Sequence, residues 1–260
     1  MMGYVQGIWS ARYFWVHLTQ ADLRSRWRRS FFGILWSVLQ PLGLTLLISV
    51  VFSRIFQSSL ADYAPYILSG VIIWEYIVFN VVGGALAFVQ ADAYIKQTRH
   101  PLAIYTLRNV ISGLIILAIA STSLIGWVLV IKPQNFGWCW LAALSIFPLL
   151  GLIVWPWATL MAYFSVRFRD LPHMLGLIMQ AIWFVSPIYF QDSVFRHGGL
   201  NGLLTYNPIY HLLQIVRAPL LYGQWPALTD YLWCLGTALF LGMIAIAVGR
   251  YAEKRVIFYL

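Results

Sequence analysis

Between Arg29 and Arg54 the chain runs for 24 residues without a charged side chain. Coiled as a helix, that run is about 36 Å long, enough to cross a hydrocarbon core of about 30 Å with some tilt. Further charge-free runs lie at 109–131, 133–166, 171–191 and 231–249, while 65–90 holds a single acid, Glu75. The 133–166 run is too long for one simple crossing, and Pro148 and Pro156 predict a bend inside it. The pattern predicts an all-α integral membrane protein with six transmembrane helices, over about 30–54, 65–90, 108–131, 138–165, 171–191 and 229–250. Composition agrees: 61% of the residues are hydrophobic and 10% charged, against about 45–50% and 25% in soluble domains. A cytosolic enzyme, a disordered chain and a secreted module are excluded.

Basic residues orient the spans, because short cytoplasmic loops collect Lys and Arg. With six crossings, one side holds Arg12, Arg24, Arg26, Arg28, Arg29, Lys96, Arg99, Arg108, Arg167, Arg169, Arg250, Lys254 and Arg255. The other holds only Arg54, Lys132, Arg196 and Arg217. Both termini are therefore expected in the cytoplasm, with 1–29 ahead of the transmembrane domain (30–250) and 251–260 as a tail. The net charge of +9 sits in islands between apolar runs and is no nucleic-acid footprint. The first 30 residues lack an uninterrupted apolar core, so no cleavable signal peptide is expected.

Two regions are neither span nor simple loop. Over 4–23, Tyr4, Ile8, Ala11, Trp15 and Leu18 form one helical stripe, opposite Gln6, Ser10, His17, Gln20, Arg24 and Arg28. This pattern predicts an amphipathic helix lying in the membrane interface. Region 192–228 has apolar stretches at 200–204 and 209–222, broken by Asn207-Pro208 and Pro219. Both are too short to cross and predict two short re-entrant or interfacial helices on the outer face.

The chemistry is mostly negative. A phosphate-cradling loop needs a Gly-Lys pair, and the three lysines follow Ile95, Ile131 and Glu253. The five histidines are scattered, and Cys139 and Cys234 have no metal-ligand spacing. No catalytic residue, metal or cofactor is expected in this chain. Glu75 is the one convincing intramembrane ionisable group, too few for an ion-coupled carrier.

Residues 22–36, Asp-Leu-Arg-Ser-Arg-Trp-Arg-Arg-Ser-Phe-Phe-Gly-Ile-Leu-Trp, followed by Leu39-Gln40-Pro41, resemble the start of the membrane subunits of ABC type-2 polysaccharide exporters. Arg167-Phe168-Arg169-Asp170-Leu171-Pro172 resembles that family's second cytoplasmic loop. Ser186-Pro187-Ile188-Tyr189 and Asn207-Pro208-Ile209-Tyr210 resemble its fifth span and outer re-entrant region. The resemblance implies a permease of the bacterial inner membrane, paired with a second copy of itself. Two copies of a separate ATPase would bind ATP and Mg and drive it. The implied cargo is lipid-linked polysaccharide, with undecaprenyl-pyrophosphate-linked O-antigen first and capsule or teichoic acid as alternatives. A drug or small-molecule exporter of the same fold is the rival.

On that frame the candidate site residues fall into three sets. The loop 91–107, with Asp92, Lys96, Arg99 and His100, together with Arg167, Arg169 and Asp170, would couple to the ATPase; a solvated charged loop is the plainer reading. Arg24, Arg26, Arg28 and Arg29 would hold the lipid pyrophosphate through bidentate guanidinium contacts, or simply anchor the chain at anionic lipid. Trp36, Trp74, Phe79, Trp183, Phe184 and Tyr189 would line the polysaccharide channel with Glu75, or belong to an interfacial aromatic belt. Glu75 itself would contact sugar hydroxyls or act as a gate residue, or be an acid near the outer interface, neutralised or bonded to neighbouring chains.

Overall fold

The computed structural model describes residues 2–28, 30–55, 57, 59–98, 100–256 and 258–259, and all regular structure among them is helical. Five helices, counting Trp140–Arg167 as one, are long and apolar enough to cross a membrane. They contain α3 (Trp36–Ile55), α4 (Leu60–Gln90), α6 (Ala103–Ile131), the pair α7 (Trp140–Ala143) and α8 (Ile146–Arg167), and α13 (Leu228–Val256). At the N-terminus lie α1 (Met2–Ser10) and α2 (Arg12–Trp27), and α5 (Asp92–Gln97) follows α4. After α8 come α9 (Leu171–Val185), α10 (Asp192–His197), α11 (Asn201–Thr205) and α12 (Pro208–Tyr222).

Local sequence sets these boundaries. The Ser59 hydroxyl caps α4 by accepting from the Asp62 amide at 3.1 Å. Gly33, at φ +47°, makes the turn from α2 into α3 that a residue with a Cβ would resist. The interruption expected in the fourth crossing falls at Leu144–Ser145. Pro148 begins there with no N–H for the carbonyl four residues back, whereas Pro156 is absorbed within α8.

The N-terminal helix breaks at Ala11 rather than running unbroken over 4–23. Of its expected apolar stripe, Ala11 and Leu18 are buried, and Ile8 and Trp15 pack with them against the end of the bundle. The face left exposed carries Trp9, Tyr13 and Val16 instead. The stripe read from sequence thus serves protein packing, and a different stripe is free to meet lipid. That packing forms a second core, in which Leu18, Ile95 of α5, Val166 of α8 and Val256 of α13 come together. The N-terminal helices, α5, the start of α6 and the end of α13 therefore occupy one end of the bundle.

The segment expected as the fifth span differs most from a simple helix. Its helical part, α9, has 15 residues, about 22 Å, and stops where Ser186 turns extended ahead of Pro187. The chain then continues without helical hydrogen bonds beside the first half of α4. Trp183 meets Trp74, and the carbonyl of Tyr189 accepts from the Tyr63 hydroxyl at 2.5 Å. The largely buried, non-helical backbone of 187–190 is satisfied by side chains. Arg217 of α12 donates to the carbonyls of Pro187 (2.8 Å) and Ile188 (3.0 Å), and the Tyr66 hydroxyl donates to that of Phe190 (2.9 Å). Gly70 makes room, since a Cβ there would stand 2.9 Å from Ile188.

Region 192–228 forms three helices, not two, and Pro219 lies inside α12 without ending it. Nor is α12 a surface element: His211, Leu212, Leu213, Val216 and Arg217 are all buried. Asn207 caps it by accepting from Ile209 at 2.9 Å and donates to the Ser186 hydroxyl at 3.0 Å, which ties α12 to the end of α9.

Candidate functional site

A cleft of about 420 Å³ opens between α3, α4 and α6, with Trp183 of α9 at its edge. Its walls carry Trp36, Trp74, Glu75, Phe79 and Trp183, five of the seven residues expected to line a channel, and Arg26 reaches it from the last turn of α2. The rings form a connected surface. Trp74 meets Trp183 edge-on at 5.6 Å, and Trp183 stacks on Tyr189 at 6.2 Å. The Arg26 guanidinium lies over Phe79 at 5.2 Å.

Tyr189 is buried behind Trp183 and extends the aromatic row rather than lining the cleft. Phe184 does not line it: its ring is 55% exposed, on another side of α9. Adjacent helical residues point about 100° apart, so Trp183 and Phe184 could not both face one cleft.

Glu75 sits at the middle of α4. Gln40 of α3 donates to its Oε1 at 3.4 Å, and Arg26 acts on its charge. Gln40 was not singled out in the sequence, although it stands in the quoted Leu-Gln-Pro. A cation, an amide and a carboxylate thus face three indole rings across one cleft, a set able to bind a hydroxyl-rich ligand through both its polar edges and its C–H faces.

The remaining basic run does not converge. Arg24 and Arg28 are exposed on α2 away from the cleft, and Arg29 lies outside the described residues. Asp22 of the same motif faces Arg108 at 3.6 Å, joining α2 to α6. Burial pushes the Asp22 carboxyl up, against the pull of Arg108.

The described residues among those expected to face an ATPase lie at the end of the bundle where α2, α5 and the end of α13 meet. Asp92 and Lys96 pair at 2.9 Å along α5, a six-residue helix inside the 91–107 loop. His100 packs its ring on Phe14 of α2 at 5.0 Å, and Arg99 lies outside the described residues. Arg167 donates to the Tyr259 hydroxyl at 2.8 Å, while Arg169 and Asp170 are exposed. Among the described residues no group of His, Cys, Asp and Glu is arranged to hold a metal. Both cysteines are buried and free.

The sequence reading missed Arg217, whose four acceptors belong to Tyr66, Ser69, Pro187 and Ile188. It counted that residue as a loop charge on the outer side. The only signal available was an arginine inside an apolar stretch, which by itself does not name its partners.

Residues 13–221 match the model of the family described as ABC-2 type transporter. The chain is 21% identical over 201 residues to an O-antigen export system permease protein RfbA of Klebsiella pneumoniae, covering 76% of each chain. A second protein of that name from the same species is 21% identical over 212 residues, covering 80% of each. One from Myxococcus xanthus is 24% identical over 223 residues, covering 84% of each.

Proposed function

The chain belongs to the ABC-2 type transporter family, and on that premise we propose that it is the permease subunit of an exporter of lipid-linked polysaccharide. O-antigen carried on undecaprenyl pyrophosphate is the first candidate, because all three relatives reported above bear the name of O-antigen export permeases. As a family subunit it is not itself the ATPase. A separate ABC ATPase supplies the work, with two copies of each subunit in the assembly in the bacterial inner membrane.

The observation that carries this reading is the cleft. Three indole rings offer apolar faces to sugar C–H groups, and Gln40 and Glu75 offer hydrogen bonds to hydroxyls. A small apolar drug would have no use for that amide and carboxylate. Arg26 at the same cleft supports a role in holding the pyrophosphate of the carrier, with Arg24, Arg28 and Arg29 assisting from the headgroup layer. Guanidinium groups suit this because they stay charged and bind phosphate oxygens bidentately.

Six crossings with both termini cytoplasmic are part of the proposal. The gathering of N- and C-terminal elements at one end of the bundle supports an even number of crossings. Residues 171–191, running beside α4 as far as Tyr63, supply the sixth. The terminal end would then dock on the ATPase through α5, His100, Arg167, Arg169 and Asp170, with Arg99 beside them.

Deleting the chain in its own host tests the reading. Polysaccharide should vanish from the cell surface and its lipid-linked form should accumulate inside, with both effects reversed by complementation. Normal surface polysaccharide, with altered sensitivity to small apolar compounds, would favour the drug-exporter rival.

A further inference from the structure

The cleft wall holds an anomaly. Tyr76 lines it and is only 4% exposed, yet its hydroxyl has no hydrogen-bond partner. Among the described residues, no other side chain of the cleft wall carries such a buried, unpartnered polar atom. One more is found beside it, Asn80 Oδ1, one turn further along α4. The Asn80 Nδ2 donates to the carbonyl of Tyr76 at 2.9 Å, which leaves its oxygen free. A buried hydroxyl or amide without a partner costs about 1–3 kcal/mol, and folded proteins keep few of them. Two at one helix–helix seam call for a reason.

Gly113 of α6 supplies part of it. A Cβ there would stand 2.6 Å from Asn80 Nδ2 and 3.0 Å from Tyr76 Cε2. The missing side chain brings the polar edge of α4 against α6 at the wall of the cleft, where alanine would push the two apart. A seam that served only packing would gain from apolar residues at 76 and 80. Both groups are uncharged, and between them they both donate and accept hydrogen bonds. A phosphate, which chiefly accepts, would be repelled by Asn80 Oδ1. Sugar hydroxyls fit both.

We infer that Tyr76 and Asn80, with Gly113 as the spacer, form a hydroxyl-recognising subsite for a sugar unit of the transported chain. The inference rests on the export reading and adds a specificity determinant set back from the aromatic surface. The two atoms are covered in this structure, so the α4–α6 seam parts when a sugar reaches them.

Tyr76→Phe separates this role from a structural one. If the hydroxyl serves only the fold, its removal is neutral or stabilising and export is unchanged. If it meets substrate, export falls while the protein is no less stable. Each variant would be expressed with its ATPase in cells lacking the native copy, and newly displayed surface polysaccharide measured per unit time. The thermal unfolding of the purified complex would be followed in parallel. The expected result for Tyr76→Phe is a three- to tenfold fall in export, about what one lost hydrogen bond accounts for, with an unchanged or raised unfolding temperature. Gly113→Ala should lower export as well. Wild-type export by Tyr76→Phe, or a loss matched by a lower unfolding temperature, overturns the subsite. Two controls separate the readings: a wild-type complex that restores no surface polysaccharide would count against the export reading itself, whereas loss of export in Trp74→Ala beside a normal Tyr76→Phe would remove the subsite alone.

Discussion

Arg217 and Pro187 meet through a 2.8 Å hydrogen bond from guanidinium to backbone carbonyl, and Arg217 is wholly buried. The same side chain donates to Ile188 and Tyr66 carbonyls and to the Ser69 hydroxyl, and its cation lies 3.6 Å from the Tyr66 ring centroid. A non-helical stretch within a membrane protein is tolerated only where its carbonyls find donors. Arg217 brings those donors from α12 to the break after α9, and so joins three elements at one point. A methionine of similar length would strand the Ile188 carbonyl at about 1–3 kcal/mol and remove three further hydrogen bonds at about 0.5–1.5 kcal/mol each, with less than additive sum, since Ser69 and Tyr66 still bond each other and the Tyr66 hydroxyl still reaches Pro187. Arg217→Met should therefore lower the apparent unfolding temperature in detergent by about 10 °C or more. Unfolding within about 2 °C of wild type would show that water or other groups satisfy those carbonyls.

His211 offers a pH test at the opposite edge of α12. Its Nδ1 lies 2.7 Å from Asp230 Oδ1, its Nε2 lies 3.0 Å from the Thr205 carbonyl, and its ring stacks on Trp233. Burial pulls its pKa down, but the hydrogen bonds to Asp230 and Thr205 outweigh burial and hold it above the ordinary 6.5. A folded-state pKa raised above the unfolded one contributes stability that is complete below about pH 6.5 and is lost as pH rises through the folded value. The unfolding temperature should fall as pH is raised from 6.5, and Asp230→Asn should flatten that slope. A wild-type temperature that is level from pH 6 to 8.5, or an equally steep slope in Asp230→Asn, would contradict the assignment.

How far sequence alone reached depends on whether a feature is local. Charge-free runs are local, so the five long helices emerged with boundaries shifted by a few residues. Trp36, Trp74 and Trp183 emerged from depth along their spans, which is also a one-dimensional property. Phe184 did not follow Trp183, because which side of α9 faces α4 depends on packing. Arg217 stayed hidden for the same reason: its acceptors lie up to 151 residues away in the chain. The Ala11–Trp15–Leu18 stripe was legible as a stripe, but its partner was protein, since α5 and the ends of α8 and α13 happen to meet there.

Topology is checked at Trp225, in the turn between α12 and α13. On a background with Cys139 and Cys234 replaced, Trp225→Cys should react with a membrane-impermeant maleimide applied from the periplasmic side. Trp225 is exposed, so access is limited only by which side it faces. Reaction only after the inner membrane is broken would overturn the six-crossing arrangement.

Polysaccharide passing through the cleft would touch Trp36, Trp74, Glu75 and Phe79. The most direct measurement places a photo-crosslinking amino acid at position 36 or 79, and in parallel at Leu239, an exposed position on α13 away from the cleft. Cells making the polysaccharide are irradiated and the permease is purified. Positions 36 and 79 should yield glycan-bearing adducts that migrate as a ladder, and position 239 should not. No glycan adduct at 36 or 79, or an equal yield at 239, would contradict passage through this cleft.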